Sequence, residues 1–219
     1  MTLRYMITNP AKIKFTLYLM LIFWALSASA SVHAKRILIY GDSLSAAYGM
    51  HLEEGWAHLL AQKLGDQHTV LNASISGDTS AAGLARLPLT LEEFKPDLVM
   101  LELGANDGLL GLPVATMREN LEQMIKLSQA AEVEVALVGI SVPPSYGPRY
   151  VDEFRATYPA LAEKYALPFI DFYREDFITT EGYIQEDGLH PTAITQPLVR
   201  DIVLAFLVEN KLIEPIIEE

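Results

Sequence analysis

Residues Arg36–Ser45 read RILIYGDSLS. Ile37, Leu38, Ile39 and Tyr40 are apolar without alternation, the pattern of a strand buried on both faces. The chain then changes character at Gly41-Asp42-Ser43-Leu44-Ser45, a turn of small polar residues. The same change recurs downstream. Thr69–Ala73 (TVLNA) runs into Ser76-Gly77-Asp78-Thr79, and Leu98–Leu103 (LVMLEL) into Gly104-Ala105-Asn106-Asp107-Gly108. Two more apolar runs follow, Val133–Ile140 (VEVALVGI) and Pro168–Ile170 (PFI). Their spacing, roughly 30 residues, leaves room for a crossover helix between parallel strands.

The intervening segments read as helices. Trp56–Leu64 follows Gly55, and Thr79–Leu87 follows the Gly77-Asp78 turn. Pro113–Ala131 carries Val114, Met117, Leu121, Met124 and Ile125 at helical spacing. Tyr150–Tyr165 is expected to kink or split at Pro159, and a last helix to cover Gln196–Val208 with Pro197 in its first turn. Alternating strands and helices give an α/β fold of one domain, with a five-stranded parallel sheet covered on both faces. Right-handed crossovers favour a doubly wound sheet, and five strands suggest the flavodoxin-like order 2-1-3-4-5. Ligands of such sheets bind beyond the carboxyl ends of the strands. The loops after strands 1, 2 and 3 are then expected to converge.

Composition narrows the classes of function. The 219 residues carry a net charge of −12, which disfavours a nucleic-acid partner. There is no cysteine, so disulfides, thiolate metal sites, cysteine nucleophiles and a lipoprotein anchor are excluded. Arg4, Lys12 and Lys14 precede an unbroken apolar run, Leu17–Leu26, and then small residues. This order describes a secretory signal peptide over residues 1–34. Cleavage fits after Ala34, or after Ala30. A ten-residue run is short for a bilayer that needs about 20 residues, so no stable membrane anchor is expected after cleavage. The mature chain of 185 residues (219 less 34) loses three positive charges and falls from −12 to −15. It is expected in the periplasm or outside the cell, as a monomer, with a domain over residues 35–213 and a frayed tail over 214–219.

The three loops hold chemistry. A serine just past a strand, entering a helix, exposes its hydroxyl and sets its N–H at the positive helix end. Glycine lets a backbone N–H approach a ligand closely, and an asparagine amide adds a donor. A hydroxyl with convergent donors suits acyl transfer, in which charge develops on a tetrahedral oxygen. His190, in Asp187-Gly188-Leu189-His190-Pro191, is the candidate base. The three-residue offset lets Asp187 fold back onto one imidazole nitrogen, leaving the other to face the sheet end.

The blocks GDSLS, SGDTS, GANDG and DGLHP, in this order, resemble the SGNH (GDSL) hydrolases. Within that family the chain is similar to the small secreted bacterial branch called thioesterase I, protease I, lysophospholipase or arylesterase, above all at LNASISGDTSAAGLARLPLTL. The resemblance covers essentially the whole mature chain. It implies that Ser43 is the nucleophile, that His190 is the base and that Asp187 is its partner. It also implies an oxyanion hole made by Ser43 N–H, Gly77 N–H and the Asn106 side chain.

The expected function is hydrolysis of carboxylic esters or thioesters of fatty acyl groups through an acyl-enzyme, with no cofactor or metal. The partner is then a small molecule with an acyl chain, lipid esters suiting the compartment better than acyl-CoA. A carbohydrate or aryl O-acetylesterase is the alternative within the class, and an inactive binding module the alternative outside it. Leu109, Leu110 and Leu112, with Tyr146 after strand 4, are candidate acyl contacts. The three leucines serve equally as anchors of the following helix. Asp42, Asp78 and Asp107 read as structural, Met117 and Met124 as core, and Asn72 as structural rather than glycosylated. His51 and His58 lack a third metal ligand. No G-x-S-x-G elbow, Walker A, H-E-x-x-H or G-x-G-x-x-G motif occurs.

Overall fold

The computed structural model describes residues 34–172 and 179–216. The signal-peptide reading therefore lies outside the described residues, apart from Ala34. The last three residues of the expected tail lie outside them as well.

Five strands form one parallel sheet: β1 (Arg36–Gly41), β2 (Thr69–Asn72), β3 (Leu98–Glu102), β4 (Glu134–Gly139) and β5 (Phe169–Asp171). Their order is β2-β1-β3-β4-β5. The register pairs Ile37 with Val70 on one side of β1 and with Leu98 on the other. Successive side chains point to opposite faces, so each strand feeds two cores. Leu38, Tyr40, Val99, Leu101, Val135 and Leu137 face one way. They pack under helices α2 (Ser80–Phe94), α4 (Val114–Ala130) and α5 (Pro148–Tyr165). Ile37, Ile39, Leu98, Met100, Ala136 and Val138 face the other way, under α1 (Trp56–Leu64) and α6 (Gln196–Glu209). Each fully buried large side chain contributes about 1.5–3 kcal/mol. This double burial is why the strands read as continuous apolar runs. β2, one of the two edge strands, departs from it and is largely exposed.

Four local expectations are corrected. Helix α2 continues past Leu87 to Phe94, because Leu87 and Leu91 lie one turn apart on its buried face. Its Pro88 is exposed, so the ring stands away from the packed face and does not interrupt it. For the same reason α5 runs unbroken through Pro159, which faces outward between buried Tyr158 and Leu161. Ser43 does not enter a helix. It begins a run of turns closed by Ser45 and Ala46 N–H on Asp42 C=O (3.3 and 3.0 Å). An additional short helix, α3 (Ala105–Leu109), follows β3.

Candidate active site

The loops after β1, β2 and β3 meet as the topology requires, and the segment after β5 brings His190 to them. Asp42 shapes the first loop. Its buried carboxylate accepts Leu44 N–H (3.1 Å), and Trp56 Nε1 donates to Leu44 C=O (3.1 Å). The turn is thereby pinned to α1, with Ser43 at its bend. In the second loop Gly77 adopts φ +87°, a conformation that disfavours any residue with a Cβ. Arg86 of α2 braces this loop. It donates to the Asp78 carboxylate (2.6 Å), to Ala73 C=O (2.7 Å) and to Gly41 C=O (3.3 Å), and its guanidinium lies 4.0 Å over the Tyr40 ring. In the third loop Asp107 accepts from Ser80 N–H (2.6 Å) and Ser80 Oγ (2.5 Å), so it fixes the start of α2. The structural readings of Asp42, Asp78 and Asp107 agree with these bonds.

Asn106 stands between the three loops. Its Nδ2 donates to Asp78 C=O (2.9 Å) and to Asp42 Oδ2 (3.2 Å).

The histidine loop is equally constrained. Gly188 N–H closes a turn on Gln185 C=O (3.0 Å), with Gly188 at φ +71°. Asp187 Oδ1 accepts Leu189 N–H (2.8 Å) and His190 N–H (3.0 Å), and its Oδ2 lies 2.7 Å from His190 Nδ1. Burial pushes the Asp187 carboxyl up, but the hydrogen bonds from His190 and Leu189 outweigh it and hold it below the usual carboxylate range. A carboxylate there places the ring proton on Nδ1 and leaves Nε2 as an acceptor. Nε2 lies 2.8 Å from Ser43 Oγ. The sequence spacing thus brings together Ser43, His190 and Asp187 in one hydrogen-bonded chain, with Gly77 and Asn106 on the converging loops.

A largely apolar cavity of about 220 Å³ opens beside Ser43. Leu44, Trp56, Leu109, Val142, Phe172 and Val199 contribute to its wall. Of the four candidate acyl contacts only Leu109 lines it. Leu110, Leu112 and Tyr146 are exposed (68, 38 and 38%), and Tyr146 Oη donates to Leu109 C=O (2.7 Å). Among the described residues no group of three or more His, Asp or Glu side chains is placed to hold a metal ion.

Residues 39–196 match the GDSL-like Lipase/Acylhydrolase family. The chain belongs to this family. It is an enzyme of ester or thioester hydrolysis, and its substrates are small-molecule esters or thioesters. This acylhydrolase is 44% identical to an arylesterase of Vibrio mimicus over 194 residues, 87% of this chain and 96% of that protein. It is 40% identical to thioesterase 1/protease 1/lysophospholipase L1 of Escherichia coli K12, over 85% of this chain and 90% of that one. Among solved structures it resembles the psychrotrophic esterase EstA of Pseudoalteromonas sp., with a TM-score of 0.77 and 42% identity. That likeness covers 81% of this chain and 98% of the other.

Three contributors to the acylhydrolase site escaped the sequence reading. Tyr48 places its ring 4.2 Å from the His190 ring, tilted by 30°. Gln185 Nε2 donates to Tyr48 C=O (2.9 Å) and to Pro191 C=O (3.0 Å), tying the serine loop to the histidine loop. Gly49 was the available signal. Its φ is +74°, and a Cβ there would meet Gln185 Oε1 at 2.5 Å. The third is Glu102, which reads as one polar letter within an apolar strand.

Proposed function

We propose that the chain cleaves esters or thioesters of fatty acyl groups through an acyl-enzyme on Ser43. The observation that carries this reading is the chain of bonds from Ser43 Oγ to His190 Nε2 (2.8 Å) and from His190 Nδ1 to Asp187 Oδ2 (2.7 Å). His190 takes the Ser43 proton as the oxygen attacks the acyl carbonyl. Asp187 keeps the ring in the accepting tautomer and balances the imidazolium that forms. The oxyanion is held by Ser43 N–H, Gly77 N–H and Asn106 Nδ2. His190 then gives its proton to the departing alcohol or thiol. It next draws a proton from water, which attacks the acyl-enzyme and returns free Ser43 with a carboxylic acid. These steps need no cofactor.

Two observations support an acyl chain over an acetyl group. The cavity beside Ser43 is mostly apolar, and each methylene it buries contributes about 0.8 kcal/mol. Its Leu109 wall belongs to the segment that follows Asn106 directly. A relative's name includes lysophospholipase, and the Pseudoalteromonas esterase is inhibited by monoethylphosphonate. The leader supports export to the periplasm or beyond, where lipid esters rather than cytoplasmic CoA esters are at hand.

Fluorophosphonate labelling followed by peptide mapping tests the nucleophile. The label is expected on Ser43 alone and absent from Ser43→Ala, which keeps its fold. Labelling of another serine in the wild type would remove Ser43 from the scheme. Rates across p-nitrophenyl esters of increasing length, beside a lysophospholipid and an acyl-CoA, test the substrate class. A maximum at acetyl would favour the O-acetylesterase alternative.

A further inference from the structure

Behind Asn106 lies a pair of acids that the hydrolytic steps do not use. Asp42 and Glu102 are 0 and 1% exposed and sit at the carboxyl ends of neighbouring strands, where Gly41 pairs with Glu102. A Cβ on Gly41 would collide with the Glu102 carboxyl group, so the glycine leaves the room that this acid occupies. Glu102 Oε2 accepts from Ser45 Oγ (2.8 Å) and Asp42 N–H (3.3 Å). Glu102 Oε1 is buried without any partner. The two acids are thus buried side by side, and the Asp42 charge bears on Glu102.

The groups facing this pair do not neutralise it. Asp78 and Asp107 add negative charge, and Tyr158 presents a phenol. Arg86 reaches Gly41 C=O, but its closest bond is to Asp78. A buried oxygen without a donor, beside a second carboxylate, is unfavourable twice over. One proton on that oxygen eases both difficulties, because it removes the second negative charge and an oxygen that lacks a donor no longer has to accept one.

We propose that Asp42 and Glu102 hold one proton between them, carried on Glu102 Oε1, and that the remaining Asp42 carboxylate sets the plane of the Asn106 amide. This rests on the reading of Asn106 as an oxyanion donor. One Asn106 N–H is fixed on Asp42 Oδ2. The other, on Asp78 C=O, is the one a substrate oxygen shares. Asp42 and Glu102 are therefore positioning residues, acting through Asn106. Burial raises both acids: Asp42 is pushed up to about 7, and Glu102 well above the usual carboxylate range, with Asp42 as its next cause. Glu102 then keeps its proton at neutral pH. Asp42 gains a second proton for the pair on acidification, and the amide loses its anchor. The acid limb of kcat consequently contains a contribution from the pair.

The test is a kcat, KM and pH series on one p-nitrophenyl ester, with thermal melts to establish folding. Asn106→Ala should lose about 10²–10³ in kcat. Asp42→Asn should lose at least about tenfold in kcat at pH 8 with KM nearly unchanged, and its acid limb should lose the contribution of the pair. Glu102→Ala should lose kcat, and Glu102→Gln, whose amide N–H replaces the acid O–H, should restore most of it. A full kcat in folded Asp42→Asn, beside a crippled Asn106→Ala, overturns the positioning role. Glu102→Gln as impaired as Glu102→Ala overturns the shared proton. Asn106→Ala with full activity instead fails the oxyanion reading beneath. Should Asp42→Asn not fold, infrared spectroscopy decides the proton on the wild type against Glu102→Gln. A protonated-acid carbonyl stretch at pH 8, absent from the variant, is expected, and its absence from the wild type overturns the proposal.

Discussion

The ring of Tyr48 lies against that of His190, with centroids 4.2 Å apart and planes 30° from parallel. Tyr48 touches neither Ser43 nor Asp187 by any hydrogen bond of its side chain, so the contact acts on the imidazole itself. An aromatic face attracts a cation, and such a contact is worth about 0.5–1 kcal/mol at an exposed site. In the proposed scheme it therefore favours the imidazolium that forms as Ser43 attacks. Tyr48→Leu is expected to lower kcat by about two- to fivefold, the rate equivalent of about 0.5–1 kcal/mol of lost support for the imidazolium. Tyr48→Phe should behave as wild type, since the ring and not the hydroxyl makes the contact. Equal kcat for Leu and Phe would show that the ring only covers the loop.

Asn106→Ala should reduce kcat by about 10²–10³, or roughly 2.7–4 kcal/mol, while KM changes little. The side chain has its contacts with Asp42 and Asp78 rather than with the cavity wall, so it has little part in ground-state binding. A rise confined to KM would assign Asn106 to substrate binding.

Asp187→Asn should lower kcat at every pH. The amide presents an N–H where the carboxylate accepts the ring proton, and the favoured tautomer is reversed. The comparable substitution in a serine protease triad lowers kcat about 10⁴-fold. Here the loss should be accompanied by a weaker turn, because Asp187 Oδ1 also accepts Leu189 and His190 N–H. A kcat unaltered in folded Asp187→Asn would leave the imidazole without need of an orienting acid.

The parts of this site legible in the sequence are those carried by local chemistry. Ser43, Gly77 and Asn106 stand at strand ends, and a parallel sheet covered on both faces fixes where strand ends lead. Asp187 and His190 were legible because a three-residue turn places one on the other. Burial on both faces made β1, β3 and β4 conspicuous, and the same logic fails at β2, whose outer edge is solvated. The prolines misled for a single reason. Pro88 and Pro159 stand on the exposed sides of their helices, and the buried faces continue past them. Tyr48, Gln185 and Glu102 depend on contacts between remote segments. The Gln185 amide meets the Tyr48 carbonyl across 137 positions, a relation no local pattern encodes.

Stability should depend on pH through Asp42. Its carboxyl is raised by burial from 3.8 to about 7 in the native protein. Between these values the unfolded chain is ionised and the native one still holds the proton, so the native state binds more protons. The contribution is fully present below the unfolded value and is lost as pH rises through about 7. Asp42→Asn removes the burial of that charge, so its melting temperature relative to wild type should be higher at pH 8 than at pH 5. His68, held down by burial and by Lys35, titrates alike in both proteins and cancels in the comparison. An identical difference at the two pH values would mean that Asp42 stays ionised throughout. The gain in stability is expected together with the loss in kcat, as a strained group kept for function would require.

The final prediction separates two uses of the leucines after Asn106. Leu109 is half-buried and lines the cavity beside Ser43, whereas Leu110 is 68% exposed and does not. Gly111, at φ +64°, lets the segment turn back. Tyr146 Oη and Tyr150 Oη hold the carbonyls of Leu109 and Leu112 at 2.7 and 2.8 Å, so both ends of the segment are tethered to the region after β4. The Leu109 side chain is free to cover an acyl chain while its backbone stays anchored. Leu109→Ser should lower kcat/KM for long acyl esters and leave acetyl esters nearly unaffected. Each methylene that loses cover weakens binding by up to about 0.8 kcal/mol, so the ratio should grow with chain length. Leu110→Ser should leave the chain-length profile as it is. If Leu109 instead serves only to seat α4, the variant should melt at lower temperature and lose rate equally for all esters. A stable Leu109→Ser protein with an unchanged profile would mean that the acyl chain takes another path from Ser43, along the Trp56 and Val199 side of the cavity.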